Sequence, residues 1–309
     1  MNKTTATSFA AFCLFAIAVT VVYLPATKVS LTTSGFVNTQ QTNILNFDSI
    51  EELNNYFLSV NYQWPIKDLS LIPGTLVRSM PDDIGTIKDS KARKRLFIRI
   101  MLPIIRAEQQ RIRNERRLLQ LALQSSNIKN ATKYTTKNTT TEEQLNTLFK
   151  EYKINAKLNF EEKSNQLLKR FDELPLTLVL AQAAIESGWG TSRFTRVGNS
   201  LFGEWTYQEG AGIVPEDRDD GKSHKIKAFP SLRDSIASYI KNINRNSAYK
   251  ELRQYRYEMR LQQQTLDSRT LAKGLHRYSQ KGEGYVVSLL QILNSSEFKQ
   301  IESLVTEDS

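Results

Sequence analysis

The sequence predicts a mainly α protein with a small β-lobe, preceded by an N-terminal membrane or signal segment and a helical accessory region. Three observations predict this organisation. The first thirty residues contain an uncharged apolar run. Apolar residues then recur at intervals of three and four through most of the chain, which is typical of amphipathic helices. Residues 199–230 instead combine glycines and aromatic residues with short alternating runs, which favour strands.

The N-terminal segment, residues 1–28, is predicted to be a signal anchor or a signal peptide. Its run FAAFCLFAIAVTVVYL carries no charge and no amide. The uncharged stretch around it approaches the roughly 20 residues that a helix needs to span a bilayer. A cleavable signal has small residues at the first and third positions before the cut, but Leu24 lies third before a cut after Ala26, which favours an anchor. Residues 29–48, rich in Thr, Ser, Asn and Gln, predict a polar linker.

A helical basic accessory region is predicted over residues 49–123. Helical spacing in residues 49–63 predicts a short helix that ends before Pro65. Residues 88–117 contain eleven Lys or Arg against three Asp or Glu, an excess that is most of the net charge of +10. Their apolar spacing predicts one helix or a pair of helices around Pro103.

The basic run, residues 88–117, has two interpretations that the sequence leaves open. It forms the solvated face of an amphipathic helix, or it attracts an anionic phospholipid or wall polymer through clustered positive charge. Nucleic acid is not an expected partner, because no nucleic-acid-binding motif is present and the export segment argues against access.

The polar residues 124–143 predict a second linker, followed by a second domain over residues 144–309. Residues 199–230 supply the β-lobe of that domain. A serine followed three residues later by an aspartate, Ser231 and Asp234, marks one helix start. Helical spacing predicts seven helices, near residues 143–153, 160–172, 175–187, 231–245, 265–277, 285–293 and 296–305.

The run AQAAIESGWG carries one carboxylate, Glu186, at the end of an apolar helix. Pro175 suits the first turn of that helix, and Gly188 suits the left-handed position just past its end. Desolvation and the negative end of the helix dipole both disfavour ionisation there, so we expect the pKa of Glu186 to be raised. A protonated carboxyl is the general acid that cleavage of a glycosidic bond requires. The alternative is a glutamate that only caps the helix or pairs with a Lys or Arg.

Aromatic residues follow Glu186 closely, and sugar rings bind well against aromatic faces. Trp205, in the irregular lobe, is expected to line a cleft. Trp189 and Phe202 suit either a cleft wall or core packing. Glycines in the run YSQKGEGY permit a close approach of two phenols, Tyr278 and Tyr285.

Residues 175–203, PLTLVLAQAAIESGWGTSRFTRVGNSLFG, resemble the signature of the bacterial glucosaminidase family, glycoside hydrolase family 73. The likeness continues weakly to Tyr285 and covers about half of the chain. Within the family it is closest to the Bax-type proteins, through the GIVP turn and the run NINRNSAY. The resemblance implies a lysozyme-like helical domain with a small β-lobe, Glu186 as proton donor, and Asn199 and the aromatic residues at the substrate. It also implies that Tyr278 faces Glu186.

The sequence does not identify the second catalytic group. Acidic residues in the lobe are Glu204, Glu209, Glu216, Asp217, Asp219 and Asp220. The resemblance favours Asp217 or Glu216. A third route needs no protein carboxylate, because the 2-acetamido oxygen of N-acetylglucosamine can attack its own anomeric carbon.

Neither a metal nor a cofactor is expected. The two histidines, His224 and His276, lie far apart, and the chain has no zinc-type spacing, phosphate loop or nucleophilic serine motif. Cys13 is the only cysteine, which excludes a disulfide framework.

These observations predict an endo-β-N-acetylglucosaminidase that cleaves peptidoglycan glycan strands after N-acetylglucosamine. Because that substrate is in the wall, we expect a periplasmic or cell-envelope location, with anchoring in the inner membrane by the N-terminal segment. The alternatives are a lytic transglycosylase on the same fold, and a non-catalytic wall-binding or scaffolding protein.

Overall fold

Helices dominate the structure, as the sequence predicts, and two small sheets accompany them. The computed structural model describes residues 43–131, 139–207, 212–214 and 225–307. The helices are α1 Ile50–Ser59, α2 Ser90–Ala131, α3 Thr139–Glu151, α4 Phe160–Arg170, α5 Leu176–Glu186, α6 Arg193–Gly198, α7 Leu232–Arg245, α8 Lys250–Leu261, α9 Ser268–Lys273, α10 Glu283–Leu293 and α11 Ser296–Glu307. The strands are β1 Ile44–Leu45, β2 Leu76–Val77, β3 Trp205–Thr206, β4 Gly212–Ile213 and β5 Lys225–Lys227.

The predicted signal or anchor segment, residues 1–28, lies outside the described residues. Among the helices that the structure does describe, none is long and apolar enough to cross a membrane. The end of the predicted linker, in contrast, belongs to the fold. Strand β1 pairs in parallel with β2, and Phe47 is buried.

Helix α2 is a single helix of 42 residues, with Pro103 inside it rather than between two helices. Eleven of its apolar side chains are buried, and its most extensive contacts are with α5 and α7. The predicted accessory region therefore packs directly on the helix that ends at Glu186. Both ends of the predicted second linker are helical, because α2 continues to Ala131 and α3 begins at Thr139.

The basic run of α2 is directed largely at the protein itself. The guanidinium of Arg111 bonds Glu108 and Glu115, and that of Arg113 lies 2.9 Å from Glu173. More than half of the basic residues of the run donate hydrogen bonds within the protein, to carboxylates, an amide oxygen or backbone oxygens, namely Arg93, Arg99, Arg106, Arg111, Arg113 and Arg116. Neither interpretation from the sequence, a solvated face or contact with an anionic phospholipid or wall polymer, included these hydrogen bonds and ion pairs within the protein.

The predicted β-lobe is a three-stranded antiparallel sheet in the order β3-β5-β4. Trp205 and Ile213 both pair with Ile226, so the two outer strands meet the central one at the same residue. The lobe contacts the end of α6 at Gly198. A Cβ atom there would lie 2.4 Å from Cδ1 of Ile213, so a larger residue would require the Ile213 side chain to shift.

Helices α6 and α8 were not among the predicted ones. The buried residues of α8 are Leu252, Arg253, Arg256 and Met259. Two of these four are arginines, so apolar spacing alone underestimates the buried face. Arg256 is 1% exposed, and its guanidinium donates to backbone oxygens that include those of Asp172 and Glu173. Backbone carbonyls thus satisfy a side chain that sequence reasoning assigns to the surface.

Candidate active site

A turn in left-handed backbone conformation follows Glu186. Gly188, Trp189 and Gly190 have φ of 57°, 59° and 83°. The hydroxyl of Ser187 donates to the backbone oxygen of Ala183 at 2.6 Å and accepts from the amide of Gly190 at 2.9 Å. These bonds end α5 sharply and hold Glu186 at its last position, as the sequence predicts.

The Glu186 carboxyl is half-buried. Burial raises its pKa, while a hydrogen bond from Tyr285 and the positive charge of Lys281 partly oppose the rise. The predicted direction of the pKa is therefore confirmed. The predicted causes were desolvation and the helix end, and desolvation is the cause that raises the pKa in the structure.

A line of hydrogen bonds leads from α7 to Glu186. The hydroxyl of Tyr239 bonds Oε1 of Gln182, and Nε2 of Gln182 donates to the hydroxyl of Tyr285 at 3.0 Å. Tyr285 in turn bonds the Glu186 carboxyl. Gln182 and Tyr239 are buried, so these bonds lie away from solvent.

Phenol rings form one wall beside Glu186. Tyr278 stacks on Tyr285 with ring centroids 5.2 Å apart, and Tyr249 lies 6.0 Å from Tyr278. Phe202 stacks on Tyr239 at 4.0 Å. Four of the predicted site residues, Glu186, Tyr278, Tyr285 and Phe202, are thus brought together around this group.

The Tyr249 phenol lies within the influence of two carboxylates. Burial raises the pKa of Tyr249 to about 12, and the negative charges of Glu186 and Glu204 add to that rise. Both carboxylates therefore lie near one phenol. Tyr249 belongs to the run NINRNSAY that the sequence analysis singled out, although no role was predicted for it.

Glu204 is the lobe carboxylate that the structure describes in detail. Its Oε2 accepts from the Ser238 hydroxyl at 2.8 Å, and Lys227 Nζ lies 3.2 Å from the same hydroxyl. Among the described residues its Oε1 has no hydrogen-bond partner, although it is buried. Burial raises the pKa of Glu204. The favoured candidates, Glu216 and Asp217, lie outside the described residues, as does His224.

Three predicted binding residues lie outside this group of stacked rings. Trp189 is half-buried between α2 and α11, with its ring 5.8 Å from that of Phe97 and 6.3 Å from that of Phe298. Asn199 caps α6, and its side-chain amide donates to the backbone oxygen of Phe229 at 3.1 Å. Trp205 is 62% exposed on the lobe.

Sequence reasoning missed Gln182, Tyr239 and Tyr249. For Gln182 a signal exists, because an amide one turn before Glu186 on an apolar helix needs a buried partner. The two tyrosines carry no such signal, since a tyrosine on a helix is ordinary core material. Within the described part of the chain, no cluster of His, Cys, Asp and Glu suits a metal ion.

Comparisons with known proteins identify relatives of this chain. A sequence profile of the Glucosaminidase family, described as mannosyl-glycoprotein endo-beta-N-acetylglucosaminidase, matches residues 161–297. Protein bax of Escherichia coli K12 is 30% identical over 211 residues, which cover 67% of this chain and 70% of that protein. The peptidoglycan hydrolase FlgJ of Escherichia coli is 31% identical over 96 residues, which cover 27% of this chain and 31% of FlgJ.

A solved structure, the catalytic domain of the autolysin Auto from Listeria monocytogenes, is 18% identical. The similarity covers 58% of this chain and 95% of that one, with a TM-score of 0.32. A superposition of that quality does not define a shared fold. The profile match and the similarity to protein bax do identify the family: this chain belongs to the glucosaminidase family, glycoside hydrolase family 73, as a Bax-type member.

Proposed function

We propose that this protein is a peptidoglycan hydrolase, an endo-β-N-acetylglucosaminidase that uses Glu186 as its general acid. The observation that carries the proposal is the half-buried Glu186 carboxyl, which has a raised pKa and a hydrogen bond from Tyr285. A general acid must stay protonated near the working pH, and burial in this wall of phenols favours that form. The membership of the family and the similarity to the peptidoglycan hydrolase FlgJ support this substrate class.

In the proposed reaction the Glu186 proton passes to the glycosidic oxygen as the bond to the anomeric carbon of N-acetylglucosamine breaks. The Glu186 carboxylate that remains then accepts the Tyr285 hydrogen bond. The Tyr278 hydroxyl serves to orient a water or the N-acetyl group. Trp205 offers the lobe's exposed aromatic face to a sugar ring.

The second group is a carboxylate of the lobe or the substrate's own acetamido oxygen. Glu216 and Asp217 stay predictions. Glu204 is a third candidate, because the charges of its half-buried carboxylate and of Glu186 both raise the pKa of Tyr249. Replacing Glu204, Glu216 and Asp217 one at a time with the matching amide tests the three carboxylates in parallel. If none of the three lowers the rate substantially, the acetamido route is favoured.

We also propose that the domain has a lysozyme-like arrangement of helices beside its small β-lobe. We propose that the domain acts on glycan strands outside the inner membrane, where its substrate lies, with residues 1–28 as the export or anchor segment. Fractionation of cells that express the full chain tests the location. Recovery in the cytosolic fraction would contradict it.

The reaction is tested with residues 43–309 and purified peptidoglycan, with released ends read by reduction and mass spectrometry. Reducing N-acetylglucosamine ends are expected. Glu186→Gln should lower their release by roughly 10²- to 10⁴-fold, the contribution of a general acid. Glu161→Gln, an exposed glutamate of α4, is the matched control and should be fully active.

Two other outcomes separate the alternatives. Anhydro-sugar ends would identify a lytic transglycosylase, because hydrolysis adds water and transglycosylation does not. Saturable binding to the wall without release by either protein would replace the enzyme with a wall-binding module.

A further inference from the structure

Gln182 is a buried amide one helical turn before Glu186, and its solvent exposure is 0%. An amide has one acceptor oxygen and one donor nitrogen. The oxygen accepts from Tyr239 and the nitrogen donates to Tyr285 at 3.0 Å. Both ends of the side chain are thus occupied by phenols, one from α7 and one from α10.

This pairing fixes the direction of the Tyr285 hydroxyl. A phenol has a single proton, and Tyr285 already accepts a hydrogen bond from Gln182. Its own proton is therefore left for the Glu186 carboxyl, with which it is hydrogen-bonded. With the opposite amide orientation, Tyr285 would donate to Gln182 and would turn a lone pair towards Glu186. That orientation becomes unfavourable as soon as Glu186 ionises.

We propose that Gln182 is a positioning residue of the reaction, which aims the Tyr285 proton at Glu186 and so stabilises the carboxylate that forms when Glu186 gives up its proton. This inference rests on the proposed role of Glu186 as general acid. Hydrogen bonds to an ionised group are roughly twice as strong as neutral ones, so the bond strengthens as the reaction proceeds. The effect belongs to the rate of the chemical step rather than to substrate binding.

Gln182→Glu is the sharpest variant, because it keeps the shape of the side chain. While protonated, the introduced carboxyl still has one acceptor and one donor, and it replaces the amide. Once ionised it has acceptors only. It then draws the Tyr285 proton away from Glu186. We expect near-normal kcat at acid pH and an additional loss of kcat as the introduced group ionises, with KM little changed.

Gln182→Met removes both polar ends at similar volume and serves as the second variant. We expect kcat to fall at all pH values by roughly 10- to 100-fold, the size of one hydrogen bond to a charged group. Thr177→Val is the matched control. Thr177 is a buried polar residue of the same helix, hydrogen-bonded to Ser268 at 2.6 Å, and lies about two and a half turns from Glu186. It should lower stability without changing the pH profile of kcat.

A measurement independent of activity follows the Glu186 carboxyl by NMR in protein labelled with ¹³C at the glutamate carboxyl, assigned by the signal that Glu186→Gln lacks. Tyr285 and Lys281 act on Glu186, and the charge of Glu186 acts in turn on Tyr239, Tyr249 and Tyr278. None of these changes in Gln182→Met, whereas Gln182→Glu adds a carboxylate whose negative charge by itself raises the pKa of Glu186. We expect the pKa of Glu186 to be higher in Gln182→Met than in the native protein, because the Tyr285 proton is no longer aimed at the carboxylate, and unchanged in Thr177→Val.

The titration of Glu186 and the measurement of kcat distinguish failure of the Gln182 role from failure of the proposed general acid. A native titration of Glu186 or a native kcat in Gln182→Met would overturn the role of Gln182. Full activity of Glu186→Gln would instead overturn the proposed general acid, whatever the titration shows.

Discussion

The Glu186 carboxyl has lost part of its solvent at the end of α5 and retains a hydrogen bond from Tyr285. Its pKa is raised in the folded protein, so the folded state binds this proton more tightly than the unfolded state does. Its contribution to stability is therefore present below the unfolded pKa and is lost as the pH rises through the folded pKa. The carboxyl that the proposed reaction uses as its acid therefore destabilises the fold once it is ionised.

Glu186→Gln should therefore stabilise the protein at neutral and alkaline pH. Replacing this buried, ionisable carboxyl should increase the free energy of unfolding by about 0.5–2 kcal/mol, which raises Tm by a few degrees in a domain of this size. Thermal unfolding at several pH values measures the effect, with Glu161→Gln as the exposed control. The gain should disappear towards pH 4, and a gain that is constant with pH would contradict this account.

At the scale of residues, the sequence predicted what depends on neighbours along the chain. Glu186, its raised pKa and the left-handed Gly188 all follow from one run of ten residues. Trp189 shows the limit, because an aromatic residue three positions from Glu186 suits a cleft wall equally well. Its ring lies against Phe97 and Phe298, which are about ninety and a hundred residues away in sequence. No local pattern carries that information.

At the scale of elements, α2, α5 and α8 meet at a buried acid. Asp172 lies 3% exposed just before α5, and its carboxylate faces Arg256, Arg116 and Arg260 at 3.1–3.9 Å. Burial opposes its ionisation, but the three positive charges together hold the pKa of Asp172 below its usual value. Its contribution to stability is therefore present above the unfolded pKa and lost as the pH falls through the folded pKa.

Asp172→Asn should be strongly destabilising although it changes no volume. It leaves the buried Arg256 without its counter-charge, and breaking a buried pair in this way costs about 3–5 kcal/mol. Urea unfolding at neutral pH measures the loss, and Asp48→Asn at an exposed position is the control. The difference between native and variant should narrow as the pH falls, because the native carboxylate is then protonated.

The sequence predicted the elements whose buried faces are apolar and missed those whose faces are not. Helix α7 was predicted with its serine cap, and Ser231 does accept from the amide of Asp234. Helix α8 was missed because arginines make half of its buried face. An arginine in sequence gives no sign of whether water or backbone carbonyls satisfy its guanidinium.

At the scale of the whole molecule, the two halves that the sequence separates depend on each other. Helix α2 covers α5, and eleven apolar side chains of α2 are buried. Each such side chain contributes about 1.5–3 kcal/mol. Together they exceed the net stability of about 5–15 kcal/mol that proteins have. Periodicity predicts which face of α2 is apolar, but it does not predict which helix covers that face.

Residues 139–309 alone should therefore fail to fold, although they contain the whole family signature. We expect weak near-ultraviolet circular dichroism, no cooperative thermal transition and low solubility, whereas residues 43–309 should melt cooperatively. Supplying residues 43–131 as a separate chain during expression should restore folding and activity. A cooperative transition in the shorter fragment would contradict the dependence on α2.

The tryptophans divide between the two parts of the molecule. Lys94 and Arg95 of α2 lie 5.0 Å from the ring of Trp189 and 5.8 Å from that of Trp64, while Trp205 is on the exposed lobe. These are the chain's three tryptophans. Intrinsic fluorescence therefore has two separable sources. Emission from Trp64 and Trp189 follows the docking of α2, and a spectral shift on adding a soluble glycan fragment is attributable to Trp205, so binding and folding are readable in one sample without a label.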